Sequence, residues 1–113
     1  MTDQWVQRSD VDDLVEIYHE ALRRAAKAIA AEASADEQRR IVRAELMVKA
    51  GDIPVSKAEN IAMASPEYKA AARDLFNAST EAEEAKAEVE YIKTRWDTWR
   101  TKTSAQKAKM QHG

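Results

Sequence analysis

Between Lys93 and Lys102 the chain reads Lys-Thr-Arg-Trp-Asp-Thr-Trp-Arg-Thr-Lys, which sets two indoles among four cations. Lys93, Arg95, Trp96, Trp99, Arg100 and Lys102 are the raw material of a single-stranded nucleic-acid platform, with bases stacked on the rings and phosphates held by the cations. The flanking charge is uneven: Tyr91 to Gly113 carries six Lys or Arg against one Asp, whereas Pro66 to Glu90 carries seven acids against three bases. The same residues have a structural explanation. Trp96 and Trp99 fall on helix-packing positions, and cations near the end of a helix complement its dipole. Counterion release needs cations that are free to meet phosphates, so packing is the leading reading and contact with single-stranded DNA or another partner the alternative.

Other spacings that can carry chemistry are weaker. Glu16 and His19 form one Glu-x-x-His step, half of what a dinuclear carboxylate site needs, and no second copy occurs. His19 also lies beside the apolar face of its helix rather than on it, and His112 sits in a tail expected to be solvated. The acids Glu81, Glu83, Glu84, Glu88 and Glu90 lack the glycine and alternating oxygens of a calcium loop and read as a solvated face with some pairing between helices. Two glycines cannot build a phosphate-cradling loop, and no nucleophile-elbow motif occurs. The absence of cysteine excludes disulfides and thiolate ligands. No catalytic residue, cofactor or metal site is therefore expected, and the chain reads as a non-enzyme.

What must position these residues is helical. Charged residues make up 34% of the chain, alanine dominates its apolar fraction, and only two Gly and two Pro are present, the composition of long surface-rich helices. The organising stretch begins at Tyr68. Steps of seven give Leu75, Ala82, Val89, Trp96, Thr103 and Met110, and the positions three further on are Ala71, Ala78, Ala85, Ile92, Trp99 and Gln106. Ser65 followed by Pro66 is an N-cap with proline at the first helical position, so this helix is expected over about 66–109.

Upstream, Ser9 reads as an N-cap with Asp10, Asp12 and Asp13 in the first turn, opening a helix over about 10–50. Its apolar face is Val11, Leu14, Tyr18, Ala21, Ala25 and Ala28, broadened by Leu22 and Ile29, and it resumes at Ile41, Val42, Leu46 and Val48. Ser34-Ala-Asp-Glu37 offers a capping box for a break, but no Gly or Pro interrupts, so continuity is favoured. Gly51 ends this helix, and Ser56 with Glu59 has capping-box spacing for a short helix over about 57–64 that buries Ile61 and Met63.

Two long helices and a compact connector predict an all-α antiparallel hairpin, a single domain over residues 1–113 with loosely ordered ends at 1–8 and 111–113. Antiparallel pairing sets the acidic start of the first helix, Asp10 to Glu20, beside the cations from Lys93 to Lys109. It also places Trp99 near Ile17 or Tyr18 and Met110 near Trp5. The packing seam is then carried by Tyr18, Tyr68, Leu75, Ala82, Val89, Ile92, Trp96 and Trp99. A hairpin with one stripe per helix buries little, so a homodimer or larger bundle is expected. The start lacks a signal-like apolar region and no apolar run has spanning length, so a cytoplasmic chain without a membrane partner is expected.

Gly51 closing a long helix, the entry Ala62-Met63-Ala64-Ser65-Pro66-Glu67-Tyr68, Ala78 ahead of the acidic run, and the block Glu88 to Ala108 with Trp99-Arg100-Thr101 and Ala105 together carry a resemblance. In these features the chain resembles small helical proteins of tailed bacteriophages and prophages, often encoded near recombination or single-strand annealing genes. The resemblance covers about residues 50–110 and treats 1–49 only as an amphipathic helix. It implies phage origin and expression in a bacterial cytoplasm, and it brings no activity. The Ala-rich first helix and the extra Trp96 depart from the group's pattern and bear on any shared partner. The expected role is an accessory interaction module whose partner is a host defence factor or a phage recombination or replication protein.

Overall fold

The computed structural model describes residues 8–112 and forms a helical hairpin. Helix α1 spans Arg8–Lys49, α2 spans Val55–Ala64 and α3 spans Pro66–His112. Trp5, and with it the expected meeting with Met110, lies outside the described residues. Helix α1 runs through Ser34 without a break because its alanines and long straight side chains lose little freedom in a helix, and no breaker is present. Ser9 is already helical rather than a cap, since α1 starts one residue earlier. Gln111 and His112 are helical too.

Gly51 ends α1 by adopting φ 90°, a left-handed conformation that glycine reaches without a Cβ penalty. Its N–H donates to the Val48 carbonyl at 3.1 Å, and the N–H of Ala50 to Leu46 at 3.0 Å. The next helix departs from the expected capping box. Pro54, at φ −55° and ψ 144°, occupies the N-cap position, and its carbonyl accepts from both Lys57 and Ala58 at 3.0 Å. Ser56 therefore sits inside α2 and caps nothing: proline's fixed φ starts the helix two residues earlier than expected. Ile61 and Met63 are also not buried as expected. They are about half exposed, while Ala58 and Ala62, one turn apart, form the buried face. Ser65 then serves two helices, donating its N–H to Ala62 at 3.1 Å and accepting the Tyr68 N–H on its Oγ at 3.2 Å.

The chain divides into two compact units. One joins α1 up to Ala25 with α3 from Glu84, and the other is Ala26–Glu83. In the first, Arg24 of α1 donates to Glu88 of α3 at 2.6 Å. In the second, Glu32 accepts from Ser79 at 2.7 Å and Arg39 donates to the Tyr68 hydroxyl at 3.0 Å. Within each unit, later residues of α1 meet earlier residues of α3, so the helices run antiparallel.

Burial along α3 repeats in steps of three and four. Tyr68, Ala71, Leu75, Ala78, Ala82, Ala85, Val89, Ile92, Trp96 and Trp99 are buried or half-buried, and of the residues between them only Ala72 and Ser79 are not fully exposed. Thr103, Gln106 and Met110 keep the spacing but are exposed. The alignment set by Arg24 and Glu88 carries them past Val11, the first described side chain of α1. Helix α1 shows the matching series Val11, Leu14, Tyr18, Ala21, Ala25, Ala28, Glu32, Ala35, Arg39, Val42 and Leu46. Two of its positions, Glu32 and Arg39, are polar. Leu22, Ile29, Ile41 and Val48, expected on the apolar face, are instead exposed, because a helix packed along one seam has no second neighbour to cover them.

Candidate interaction surface

The fully buried core is made almost entirely of methyl groups. Among the described residues, the buried hydrophobic side chains are Ala21, Ala25, Ala58, Ala62, Ala71, Ala82 and Ile92, and no buried polar or charged residue accompanies them. Alanine lets helices approach closely, but each buries little apolar area. Many large apolar side chains lie outside. Val15, Ile17, Leu22, Phe76 and Tyr91 are all at least 40% exposed.

In the unit that contains both chain ends, two clefts flank the seam. The first, of about 320 Å³, lies between Leu14, Val15 and Tyr18 of α1 and Ile92, Lys93, Trp96 and Asp97 of α3. The second, of about 330 Å³, has Asp13, Leu14 and Ile17 on one wall and Glu88, Tyr91, Ile92 and Arg95 on the other. Of the two expected neighbours of Trp99, Tyr18 lines the first cleft and Ile17 the second. Trp96 shares the first cleft with Tyr18, and counting in antiparallel sense from the Arg24–Glu88 pair sets Trp99 level with Asp13, about one turn nearer the start of α1 than Ile17.

The residues expected to form a nucleic-acid platform occupy one stretch of α3. Trp96 and Trp99 are half-buried, with ring centroids 4.8 Å apart and planes tilted by 45°. Lys93 is exposed and lies 3.8 Å from Glu90. The guanidinium of Arg95 sits 5.9 Å over the Tyr91 ring. Arg95 and Asp13 both line the second cleft, which brings a cation of α3 to the acidic start of α1. Arg100 and Lys102 are exposed. Each tryptophan therefore shares its surface between the seam and solvent, and two of the cations have partners on their own helix.

A polar cluster that the apolar stripe did not reveal lies in the other unit. Arg39, in the α1 seam, donates to Asp36 at 2.9 Å as well as to the Tyr68 hydroxyl. Asp36 also pairs with Arg40 at 2.9 Å. The hydrogen bond from Arg39 holds the Asp36 carboxyl below the usual carboxylate range; burial opposes this, and the charges of Arg40 and Arg39 assist it. Arg39 is in turn held above its ordinary value, chiefly by its hydrogen bonds to Asp36 and Tyr68. Its Nε is buried without an acceptor, so the guanidinium is satisfied on its outer nitrogens only. Continuing the seven-residue count from Val11 through Ala25 reaches Glu32 and Arg39, which is the signal that could have found them.

Glu16 and His19 are both exposed on α1, and among the described residues no three His, Asp or Glu side chains gather as metal ligands. No described helix is long and apolar enough to cross a membrane. No protein family, curated protein or solved structure matches the chain.

Proposed function

We propose that the chain is a non-enzymatic interaction module, a helical hairpin that associates with itself and works by packing its helices against another protein. The observation that carries this reading is the large apolar surface left outside the seam: Val15, Ile17, Leu22, Phe76 and Tyr91 are exposed while the fully buried positions are nearly all alanine. Helices whose large apolar residues stay exposed gain most by packing against further helices. The resemblance over residues 50–110 supports a phage accessory setting, in which the partner is a host defence factor or a recombination or replication protein. Thermal melts over a hundred-fold range of protein concentration test self-association. The melting temperature should climb by several degrees with concentration, and a flat response together with a monomeric mass would refute it.

One observation favours a second reading. Trp96 and Trp99 are not sealed in the seam, and Lys93, Arg95, Arg100 and Lys102 flank them. A single-stranded DNA-binding role predicts quenching of tryptophan fluorescence by oligo-dT at low salt and its loss at high salt. Absence of quenching at low salt would discard it.

A further inference from the structure

Helix α3 outruns its neighbour. Counting in antiparallel sense from the Arg24–Glu88 pair sets Arg8, the first residue of α1, level with Ser104. Residues 105–112 therefore extend past the described part of α1, roughly 12 Å of helix, and every side chain from 100 to 111 is exposed. After Asp97 the sequence has no further acid, and its cations there are Arg100, Lys102, Lys107 and Lys109. Their placement is regular. Arg100 and Lys107 directly follow the seam positions Trp99 and Gln106, while Lys102 and Lys109 directly precede Thr103 and Met110. Two rows of cations thus flank the open continuation of the seam, one on either side, and the opposite half of the helix carries Thr101, Ala105 and Ala108 instead. The helix dipole calls for cations only in the last turn, which Lys109 reaches and the other three do not. Asp12 and Asp13 of α1 stand level with Arg100 and Trp99 by the same count, so the positive field is strongest at Lys107 and Lys109, farthest from the described carboxylates of α1.

Going beyond both readings above, we propose that this extension is a docking surface for double-stranded DNA, with the tip of α3 lying in the major groove. The charges require an anionic occupant. A second copy of the extension would set cation against cation in any register, because all four flanking positions have the same sign. An acidic helix would need an apolar seam to pack on, and a lipid surface would need large apolar side chains; of Thr103, Gln106 and Met110 only the last is apolar. A single strand needs open rings for its bases, whereas Trp96 and Trp99 are half-buried against each other at 4.8 Å and no aromatic residue follows them. A duplex suits both flanks at once. Its major groove is about 12 Å wide, the diameter of one helix with its side chains, and a phosphate ribbon runs along each edge. Lys107 then reaches one ribbon and Lys109 the other, while Gln106 between them faces the base edges.

Fluorescence anisotropy of a labelled DNA duplex of about 20 base pairs, read from about 20 to about 150 mM salt, tests this, with the helicity of every variant checked by circular dichroism. The wild-type chain should bind with a dissociation constant of about 100 μM or less at the lowest salt. Log K should fall against log salt with a slope of about −2 to −4, as roughly two to four phosphate contacts require. Lys107→Gln combined with Lys109→Gln should weaken binding by roughly ten-fold and flatten the slope by about 2. The same loss of charge at exposed Lys57 and Lys69 of the other unit, Lys57→Gln with Lys69→Gln, should weaken it by less than about three-fold. No binding at the lowest salt overturns the proposal, as does an equal effect of the two double variants. Oligo-dT of the same length bound as tightly as the duplex overturns it in favour of the single-strand reading. Poly-glutamate that displaces the probe as well as unlabelled duplex does so in favour of an acidic protein. Self-association is read separately from the sedimentation mass of the same samples, so a monomer that binds duplex supports this proposal while refuting that reading.

Discussion

Replacing Ala82 by leucine probes the alanine seam at its tightest point. Ala82 has no exposed surface and stands one turn along α3 from Ser79, whose hydroxyl donates to Glu32 at 2.7 Å. Three added carbons have no space there without off-rotamer strain or separation of the helices, and overpacking of this kind costs about 1–3 kcal/mol. For a chain of this size each kcal/mol lowers the melting temperature by roughly 4–8 °C, so Ala82→Leu should melt some 5–20 °C below wild type. The control is Ala87→Leu, an exposed position on the same helix, where only the small difference in helix propensity applies, about a few tenths of a kcal/mol. Melts must be compared at one protein concentration, since association shifts the midpoint. If Ala82→Leu and Ala87→Leu differ by less than about 0.3 kcal/mol, the close approach of the helices is not what small residues are there to permit. Separation of the helices would also break the Glu32–Ser79 bond, so Ala82→Leu combined with Ser79→Ala should lose less than the sum of the two.

Asp36 gives a pH dependence of defined sign. Its native pKa lies below the unfolded value, so its stabilisation is complete above the ordinary carboxylate pKa of about 4 and is lost as pH falls through the lower native value. The difference in urea midpoint between wild type and Asp36→Asn should stay level from pH 7 to 5 and close below about pH 4; a gap that widened on acidification would contradict the assignment. Ser65→Ala removes the acceptor for the Tyr68 N–H and should destabilise by about 1 kcal/mol in urea, with Ser65→Gly losing only a few tenths. Gly51→Ala should cost about 1 kcal/mol through its φ of 90° alone, because a Cβ there meets nothing within 4 Å; an unchanged midpoint would show that the hinge can take another conformation.

The α3 pattern was legible because its seam alternates recognisable apolar side chains at steps of three and four, from Tyr68 to Trp99. The corresponding run on α1 was only half legible. Between Ala28 and Val42 its inward positions hold Glu32 and Arg39, and an apolar count stops where polar side chains take over. Such positions become visible only once Ser79 and Tyr68 are brought opposite them. Leu22 and Ile29 broaden the apolar face in sequence yet stay exposed, because helical spacing shows which side of a helix is apolar, not how much of that side a single neighbour can cover. At the connector, Ser56 with Glu59 satisfied a local capping rule, yet Pro54 already supplied a fixed φ and a free carbonyl. The interaction surface was legible as composition, two tryptophans among cations, but its division between seam and solvent depends on the offset of the two helices, which no local pattern sets.

The hydrogen bonds of Glu32 with Ser79 and of Arg39 with Tyr68 matter beyond their own strength, because the stretch of seam where alanine faces alanine resists sliding only weakly. Polar groups at fixed stations make a slip there costly, since it would leave a carboxylate and a guanidinium facing methyls. These two bonds therefore act as detents along that stretch, adding to the Arg24–Glu88 pair and the larger seam side chains in holding one alignment.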